Sequence, residues 1–406
     1  MQAVDAARLW RHLMELGAIR GPGEGVDRTS FSDAFQRGRA WLVQHFEEAG
    51  LEVWVDHAGN LHGRLDGEDD ATLLLGGHSD TVPNGGMFDG ALGVLSGLEI
   101  AATLAACGRR PRFSLEVVDF LAEESSAFGL SYIGSSGYVG ELTSADLERR
   151  GPGGESLGDA LRRVGGDPTA VGPVDPTKRL LGFMELHIEQ GPILAREPGS
   201  LGVVTAITGI AWYRFRVQGR AGHAGTTPMR ERRDALVAAG RLASRIYEAA
   251  SAVTDLVATV GRLEVFPNAV NVVPERVEGV AEFRSPSADV LDRQSREIMR
   301  AALPPEVSLG CTLSFEMDGS TRPVTTSERL QGVIADAIAA AGARGVRLFS
   351  GAGHDAVEIA RRTEVGMMFC PCRDGVSHSP AEWVEPDDVA LALRAYDRAA
   401  RQLLGA

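Results

Sequence analysis

Through the first half of the chain, short continuous apolar runs alternate with longer segments of helical period. Leu9, Trp10, Leu13 and Leu16 recur at spacings that predict an amphipathic helix near the N-terminus. The run Thr72-Leu-Leu-Leu-Gly-Gly leads into His78 and then a polar, Gly-rich loop. Segment 91–106 reads as a buried helix and 113–121 as a strand, followed by the pair Glu123-Glu124; 181–187 reads as a further strand ending at His187. Apolar strands that end in polar residues and are separated by helices predict a mostly parallel central sheet flanked by helices. In such a sheet, functional groups gather beyond the carboxyl ends of the strands.

The pattern changes near Gly209. Strict alternation over 212–217 predicts a strand, 234–250 a helix, 256–266 and 276–284 strands, 288–303 a helix and 307–317 a strand. That order, βαββαβ, is the ferredoxin-like unit and makes a complete small domain. After Thr325 the α/β style resumes, with a helix over 328–341, a Gly-rich loop over 350–355, a strand into Cys370 and a closing helix over 386–404. The expected organisation is therefore an α/β domain over 1–208 and 325–406, interrupted by an inserted domain over 209–324. Val324 and the stretch around Thr208 are the expected hinges.

Composition narrows the functional classes. A chain of 406 residues with 44% hydrophobic and 24% charged residues is large enough for two cores. A formal net charge of −14 repels phosphate backbones and argues against nucleic acid. No apolar run is long enough to span a bilayer, and the N-terminus has neither the basic start nor the apolar stretch of a signal peptide. The four cysteines, Cys107, Cys311, Cys370 and Cys372, show no disulfide framework, and Cys370-Pro-Cys372 reads as small buried hydrophobes. These features fit a cytoplasmic protein.

Nine histidines occur, and His78, His187, His223, His354 and His378 stand at strand mouths or in Gly-rich loops. His12 and His45 lie within helices, and His57 and His62 in a hairpin-like stretch, so these four read as structural or surface residues. Segment 77–90, Gly-His-Ser-Asp-Thr-Val-Pro-Asn-Gly-Gly-Met-Phe-Asp-Gly, carries the strongest signal. Asp80 is placed to hold the His78 imidazole from behind. Asp89, between Phe88 and Gly90, is either an ordinary turn aspartate or a carboxylate folded back towards His78, where its two oxygens can serve two cations. Two adjacent carboxylates such as Glu123-Glu124 are relieved by solvent or by a metal. With histidines at neighbouring strand ends, one glutamate can ligate while the other accepts a proton from water. Such nitrogen and oxygen ligands suit two divalent ions of the zinc, manganese, cobalt or nickel type.

Eight motifs in order resemble the di-metal aminoacylase/carboxypeptidase-like amidohydrolases. The similarity is greatest to the branch of N-carbamoyl-L-amino-acid hydrolases, allantoate amidohydrolases and ureidopropionases. The motifs are His78-Ser-Asp, Gly85 to Gly90, Glu123-Glu124, Glu185-Leu-His-Ile-Glu-Gln-Gly-Pro, Gly222-His-Ala-Gly-Thr-Thr-Pro-Met, Pro267-Asn-Ala-Val-Asn-Val-Val-Pro, Ser350-Gly-Ala-Gly-His-Asp and Ser377-His-Ser-Pro-Ala-Glu. The resemblance runs from about Arg20 to the C-terminus and implies a zinc-exopeptidase-like fold for the α/β domain. It implies His78, Asp89, Glu124, His187 and His378 as metal ligands, with Asp89 bridging, and Glu123 as the general base. It implies Gln190, His223, Asn271 and Arg284 as residues that grip substrate. It also implies an inserted domain that mediates a homodimer, with His223 reaching the neighbouring subunit's site.

Chemistry gives those roles sense. Arg284, otherwise an edge-strand arginine, can hold a carboxylate in a bidentate pair. His223 and Asn271, otherwise loop and turn residues, can donate to a developing oxyanion. His354 and Asp355 are further candidates to line the pocket. The implied reaction is hydrolysis of the carbamoyl C–N bond of N-carbamoyl-L-amino acids, on a small anionic ureido or amide substrate. Allantoate or ureidopropionate hydrolysis is the alternative within the branch, and aminoacylase or exopeptidase activity the alternative outside it. A scaffold that has lost catalysis would have lost ligands, and this chain keeps all six positions. One departure is Ala127, where many relatives carry Arg, so any substrate contact made by that Arg is absent.

Overall fold

In a computed structural model, residues 2–170 and 172–406 are described. The chain divides into two compact units, 1–205 with 326–348 and 354–406, and 206–325 with 349–353. The expected boundaries put all of 325–406 in the first unit, whereas the short stretch 349–353 packs with the second. Its backbone is claimed there: Thr208 N–H donates to Ser350 O at 3.0 Å, and the Arg284 guanidinium donates to Gly351 O at 2.9 Å.

The first unit is built on a mixed sheet whose centre is parallel. Its order begins Glu52–Val55, Leu61–Leu65, Phe113–Phe120, Asp69–His78, Leu180–Ile188, Val365–Cys370 and Ser200–Ile207. The four strands from Phe113–Phe120 to Val365–Cys370 run parallel, while the two hairpin strands on one flank and Ser200–Ile207 on the other pair antiparallel. The parallel strands are buried on both faces, which is why Leu73, Leu74 and Leu75 form a continuous run rather than an alternation. Helix Ala91–Ala106 is buried almost all round, and Pro386–Leu404 and Glu328–Ala340 pack into the same apolar core. Register aligns His78 with Phe120 and His187 with Phe369, so several strands deliver their ends to one edge.

The second unit has the expected βαββαβ order. Its sheet runs Thr312–Thr321, Gly209–Gln218, Arg276–Ser285, Val257–Phe266, all antiparallel. Helices Ala235–Ser251 and Ala288–Ala301 cover the face that carries Tyr213, Phe215, Val217, Val277, Ala281 and Phe283. The other face carries Arg214, Arg216, Glu278 and Arg284. The last strand starts at Thr312, later than the 307–317 expected, because Pro304-Pro305 and the left-handed Gly310 hold the preceding stretch in turns. A short pair, Gly222–His223 with Val272–Val273, was not visible in the apolar pattern.

The hairpin at the sheet flank encloses a charged cluster. His62 is fully buried, with Nδ1 2.9 Å from Glu116 Oε1 and Nε2 3.0 Å from Asp56 Oδ2; Lys178 also pairs with Glu116. Burial favours the neutral ring, but the two carboxylates outweigh it and raise the His62 pKa to about 9. The folded value exceeds the ordinary value of about 6.5. The protonated cluster therefore stabilises the fold fully below that pH, and its contribution is lost as pH rises through about 9. In thermal melts, the margin of the wild type over His62→Gln should be widest just below about pH 6.5 and narrow steadily towards alkaline pH. A margin that did not change with pH would remove the charged role of this ring.

Candidate metal centre

Backbone geometry aims the ligands before any ion enters the argument. His78 ends its strand, and its Nδ1–H donates to the carbonyl of Asp80 at 3.0 Å, which leaves the Nε2 lone pair facing inwards. His187 donates Nδ1–H to Ile188 O at 2.8 Å, which leaves Nε2 as the acceptor nitrogen, and there it takes the Gly90 N–H at 3.1 Å beside Asp89. Asp89 lies at the entry to helix Ala91–Ala106. Gly90 adopts φ +64°, and a Cβ there would lie 2.4 Å from the His78 ring, so only glycine lets the loop approach. Ala122, Gln190 and His378 also hold left-handed backbone, immediately beside or within the site.

The side chains then converge on Asp89. Its Oδ1 is 3.4 Å from His78 Nε2 and 3.3 Å from His187 Nε2; its Oδ2 is 3.4 Å from His378 Nε2. His378 Nε2 is also 3.0 Å from Glu124 Oε1. The donors form two groups, His78-Asp89-His187 and Asp89-Glu124-His378, which share the aspartate. Ligands about 2.1 Å from one tetrahedral ion stand roughly 3.4 Å apart, so these separations fit divalent cations on both sides of Asp89. Glu123 belongs to neither group. Its Oε2 is 3.6 Å from His78 Nε2, and it is almost fully buried.

Electrostatics supports the same reading of the donor set. Burial would raise Asp89, but His187, His378 and His78 outweigh it and hold the carboxyl well below its usual range. Hydrogen bonds to Asp89 and Glu124 raise His378 to about 10. Burial, reinforced by Glu124, Asp355 and Asp80, pushes Glu123 well above the carboxylate range against the pull of His78. Burial also raises Asp80, Glu185 and Glu382, each to about 7. Asp355 Oδ2 and Gln190 Oε1 are buried without a hydrogen-bond partner. A pocket so rich in unrelieved carboxylates and inward-facing imidazole nitrogens is chemically suited to divalent cations.

Three of the sequence-derived placements read differently here. Asp80 holds His78 through its backbone carbonyl, while its carboxylate, 3.7 Å from the ring, accepts the N–H groups of Glu123 and Glu124 at 3.3 Å each. Gln190 donates to Asp89 Oδ2 at 2.7 Å, so its amide supports the shared carboxylate. His354 is buried against His187, ring centroids 4.6 Å apart, and forms a further donor group with Glu185 and His187. In the second unit, His223 is exposed and its Nδ1 accepts from Gly225 N and Thr226 N. Asn271 is exposed, and its carbonyl accepts from Ala224 N. Arg284 is held by Glu282 Oε1 at 2.7 Å and by Gly351 O, which leaves one terminal nitrogen unclaimed by either partner.

Sequence reasoning passed over Glu382, Ser377 and Glu185, although all three lie in quoted motifs. Glu382 Oε1 accepts Phe88 N–H at 2.9 Å and Asp89 N–H at 3.1 Å, clamping the loop that carries the shared ligand. Ser377 Oγ lies 2.8 Å from Asp89 Oδ2 and 3.0 Å from Glu382 Oε2. Arg28, fully buried, pins the His78 loop by donating to Ser79 O at 2.7 Å and to Leu16 O at 2.7 Å. The distance of Arg28 from every motif leaves no sequence signal for that role.

Known proteins carry the same framework. Residues 74–402 match the family described as Peptidase family M20/M25/M40. An N-carbamoyl-L-amino acid amidohydrolase of Geobacillus stearothermophilus is 40% identical over 393 residues, covering 96% of each chain. A probable allantoate deiminase of Oryza sativa subsp. japonica is 35% identical, covering 94% of this chain and 85% of its own. Among solved structures, an amidase of the hydantoinase/carbamoylase family from Burkholderia multivorans superposes with a TM-score of 0.90 at 34% identity, covering 99% of this chain and 98% of its own. Family match, identity over nearly full length and shared fold agree: the chain belongs to peptidase family M20/M25/M40.

Proposed function

We propose that this protein is a hydrolase of the carbamoyl C–N bond of N-carbamoyl-L-amino acids, working with two divalent cations of the zinc, manganese, cobalt or nickel type. The observation that carries the reading is the division of Asp89, one oxygen facing His78 and His187 and the other facing His378, with Glu123 beside His78 and outside both groups. The name of the Geobacillus relative supports the ureido substrate. Allantoate hydrolysis is the second reading, supported by the rice relative.

Cations held by His78, Asp89, His187, Glu124 and His378 would acidify an adjacent water and polarise the ureido oxygen. Glu123 takes the proton from that water as oxygen attacks the carbamoyl carbon, and returns it to the departing nitrogen as the C–N bond breaks. One water is consumed, and the carbamic acid formed falls to ammonia and carbon dioxide, leaving the amino acid. Asp80 keeps Glu123 in place through the backbone. The inserted unit supplies Arg284 for the substrate carboxylate and His223 with Asn271 for the oxyanion, while Ala127 leaves room where relatives carry Arg. His354, behind His187, lines the pocket.

A homodimer through the inserted unit is part of the proposal. Edge strand Val257–Phe266 exposes Val257 and Leu263, and helix Ala235–Ser251 exposes Leu236, Val237 and Tyr247. No described helix is long and apolar enough to cross a membrane, and the four thiols are free, which suits a reducing cytoplasm.

Ammonia release from N-carbamoyl-L-amino acids, allantoate and 3-ureidopropionate, beside free amino acid release from N-acyl amino acids, after chelation and reloading with each metal, tests the substrate class. Turnover confined to N-acyl substrates would overturn the ureido reading. Glu123→Gln should keep its metal and lose roughly 10²- to 10⁴-fold in kcat, the usual contribution of a general base. Comparable turnover in that variant would end the assignment. Arg284→Met should raise KM for N-carbamoyl amino acids by roughly 10- to 100-fold, the worth of a charged hydrogen bond. It should leave the corresponding carboxamides unaffected, and an equal loss on both would refute the carboxylate role.

A further inference from the structure

The two N-terminal helices carry a second set of donors that the catalytic reading does not use. His12 and Glu15 lie three residues apart on helix Ala6–Ala18, and His45 and Glu48 three apart on Asp33–Glu48, so each pair shares one helical face. The fold turns these faces together. His12, Glu15 and His45 offer ligand atoms that all lie within 4.8 Å of one another, and none of them belongs to the Asp89 cluster.

We propose that His12, Glu15 and His45 form a peripheral site for one divalent transition-metal ion, with Glu48 at its rim. Three observations carry it. The residues line an open cleft of about 340 Å³ that also includes Glu48 and Glu99. His45 donates Nδ1–H to Trp41 O at 2.8 Å, and the Trp41 ring stacks on it at 3.7 Å, so its Nε2 keeps a lone pair in a fixed ring beside Glu15, 3.9 Å away. This is the outer support that orients a ligating imidazole. His12 Nδ1 is buried with no hydrogen-bond partner, and its ring meets that of His45 edge-on at 4.9 Å.

Two imidazoles and a carboxylate without thiolate are the donor set of zinc, nickel, cobalt or copper rather than calcium or magnesium. Ligation needs the donors roughly 3.4 Å apart. Glu15, whose side chain is 43% exposed, has the freedom to rotate inwards. Nearby cations do not dominate the cleft. Arg8 is tied to Glu99 by bonds of 2.6 and 2.8 Å, and Arg11 lies 3.8 Å from the other oxygen of Glu15. Gln44 donates to Glu48 at 2.7 Å, which keeps that carboxylate at the rim. An ion here clips the two helices whose other faces supply Leu9, Leu13, Leu42 and Phe46 to the core.

Equilibrium dialysis against low-micromolar free zinc, with metal content measured by mass spectrometry, tests the site on the full-length protein. Wild type should hold one ion more per chain than His12→Gln, while turnover of the loaded enzyme is the same in both. Glu15→Gln, at an exposed position, gives the same comparison should His12→Gln fold poorly. Equal zinc content in wild type and in a folded variant would overturn the site and leave the catalytic reading untouched.

Discussion

Burying carboxylates is the constraint on which this structure turns. Asp80, Asp89, Glu123, Glu185, Asp355 and Glu382 are all buried around the ends of the parallel strands, in company with only three buried imidazoles, His78, His187 and His354. Desolvation penalises each charge, and each group is relieved by gaining a counter-charge or by keeping its proton. Asp89 takes the first course, held well below its usual range by His187, His378 and His78. Burial pushes Glu123 and Asp355 the other way, well above the carboxylate range. Divalent cations are the balancing charge that the arrangement calls for, and a carboxylate outside their ligand groups is then free to trade protons with water.

The rest of the first unit serves to hold that cluster against its own repulsion. Glu382 grips the Phe88 and Asp89 amides, Asp80 grips those of Glu123 and Glu124, and Asp89 receives Gln190 and Ser377 on its second oxygen. Behind the His78 loop, Ser79 donates to Asp119 at 2.9 Å, and Asp119 in turn pairs with Arg39 at 2.6 Å. Preorganisation of this kind places catalytic groups without reorganisation during the reaction. Gly90 shows how tightly local backbone and function are coupled, since a single methyl group would strike the ring of a ligand.

Much of this was legible in the sequence because the relevant signals are local. A strand ending in His78 or His187, a Phe-Asp-Gly turn and a Glu-Glu pair each announce themselves within a few residues, and the switch to strict alternation at 212–217 marks the inserted unit. What was hidden depends on long-range partners. The role of Asp80 splits between carbonyl and carboxylate, which no residue letter encodes. Arg28 is buried by contacts to Leu16, Ile19 and Ser79, and Glu185 looks like any glutamate in a strand until its neighbours are in place. The start of the strand at Thr312 and the attachment of 349–353 to the inserted unit were decided by turn geometry and tertiary hydrogen bonds. His12 and His45, ordinary helix residues by pattern, acquire meaning only when two helices bring them face to face.

Anomalous diffraction at the zinc edge, from crystals loaded with zinc, addresses the shared aspartate most directly. Two peaks should flank the Asp89 carboxylate, one against His78 and His187 and the other against Glu124 and His378, with Glu123 bound to neither ion. A single peak, or an Asp89 side chain turned away from both, would contradict the account.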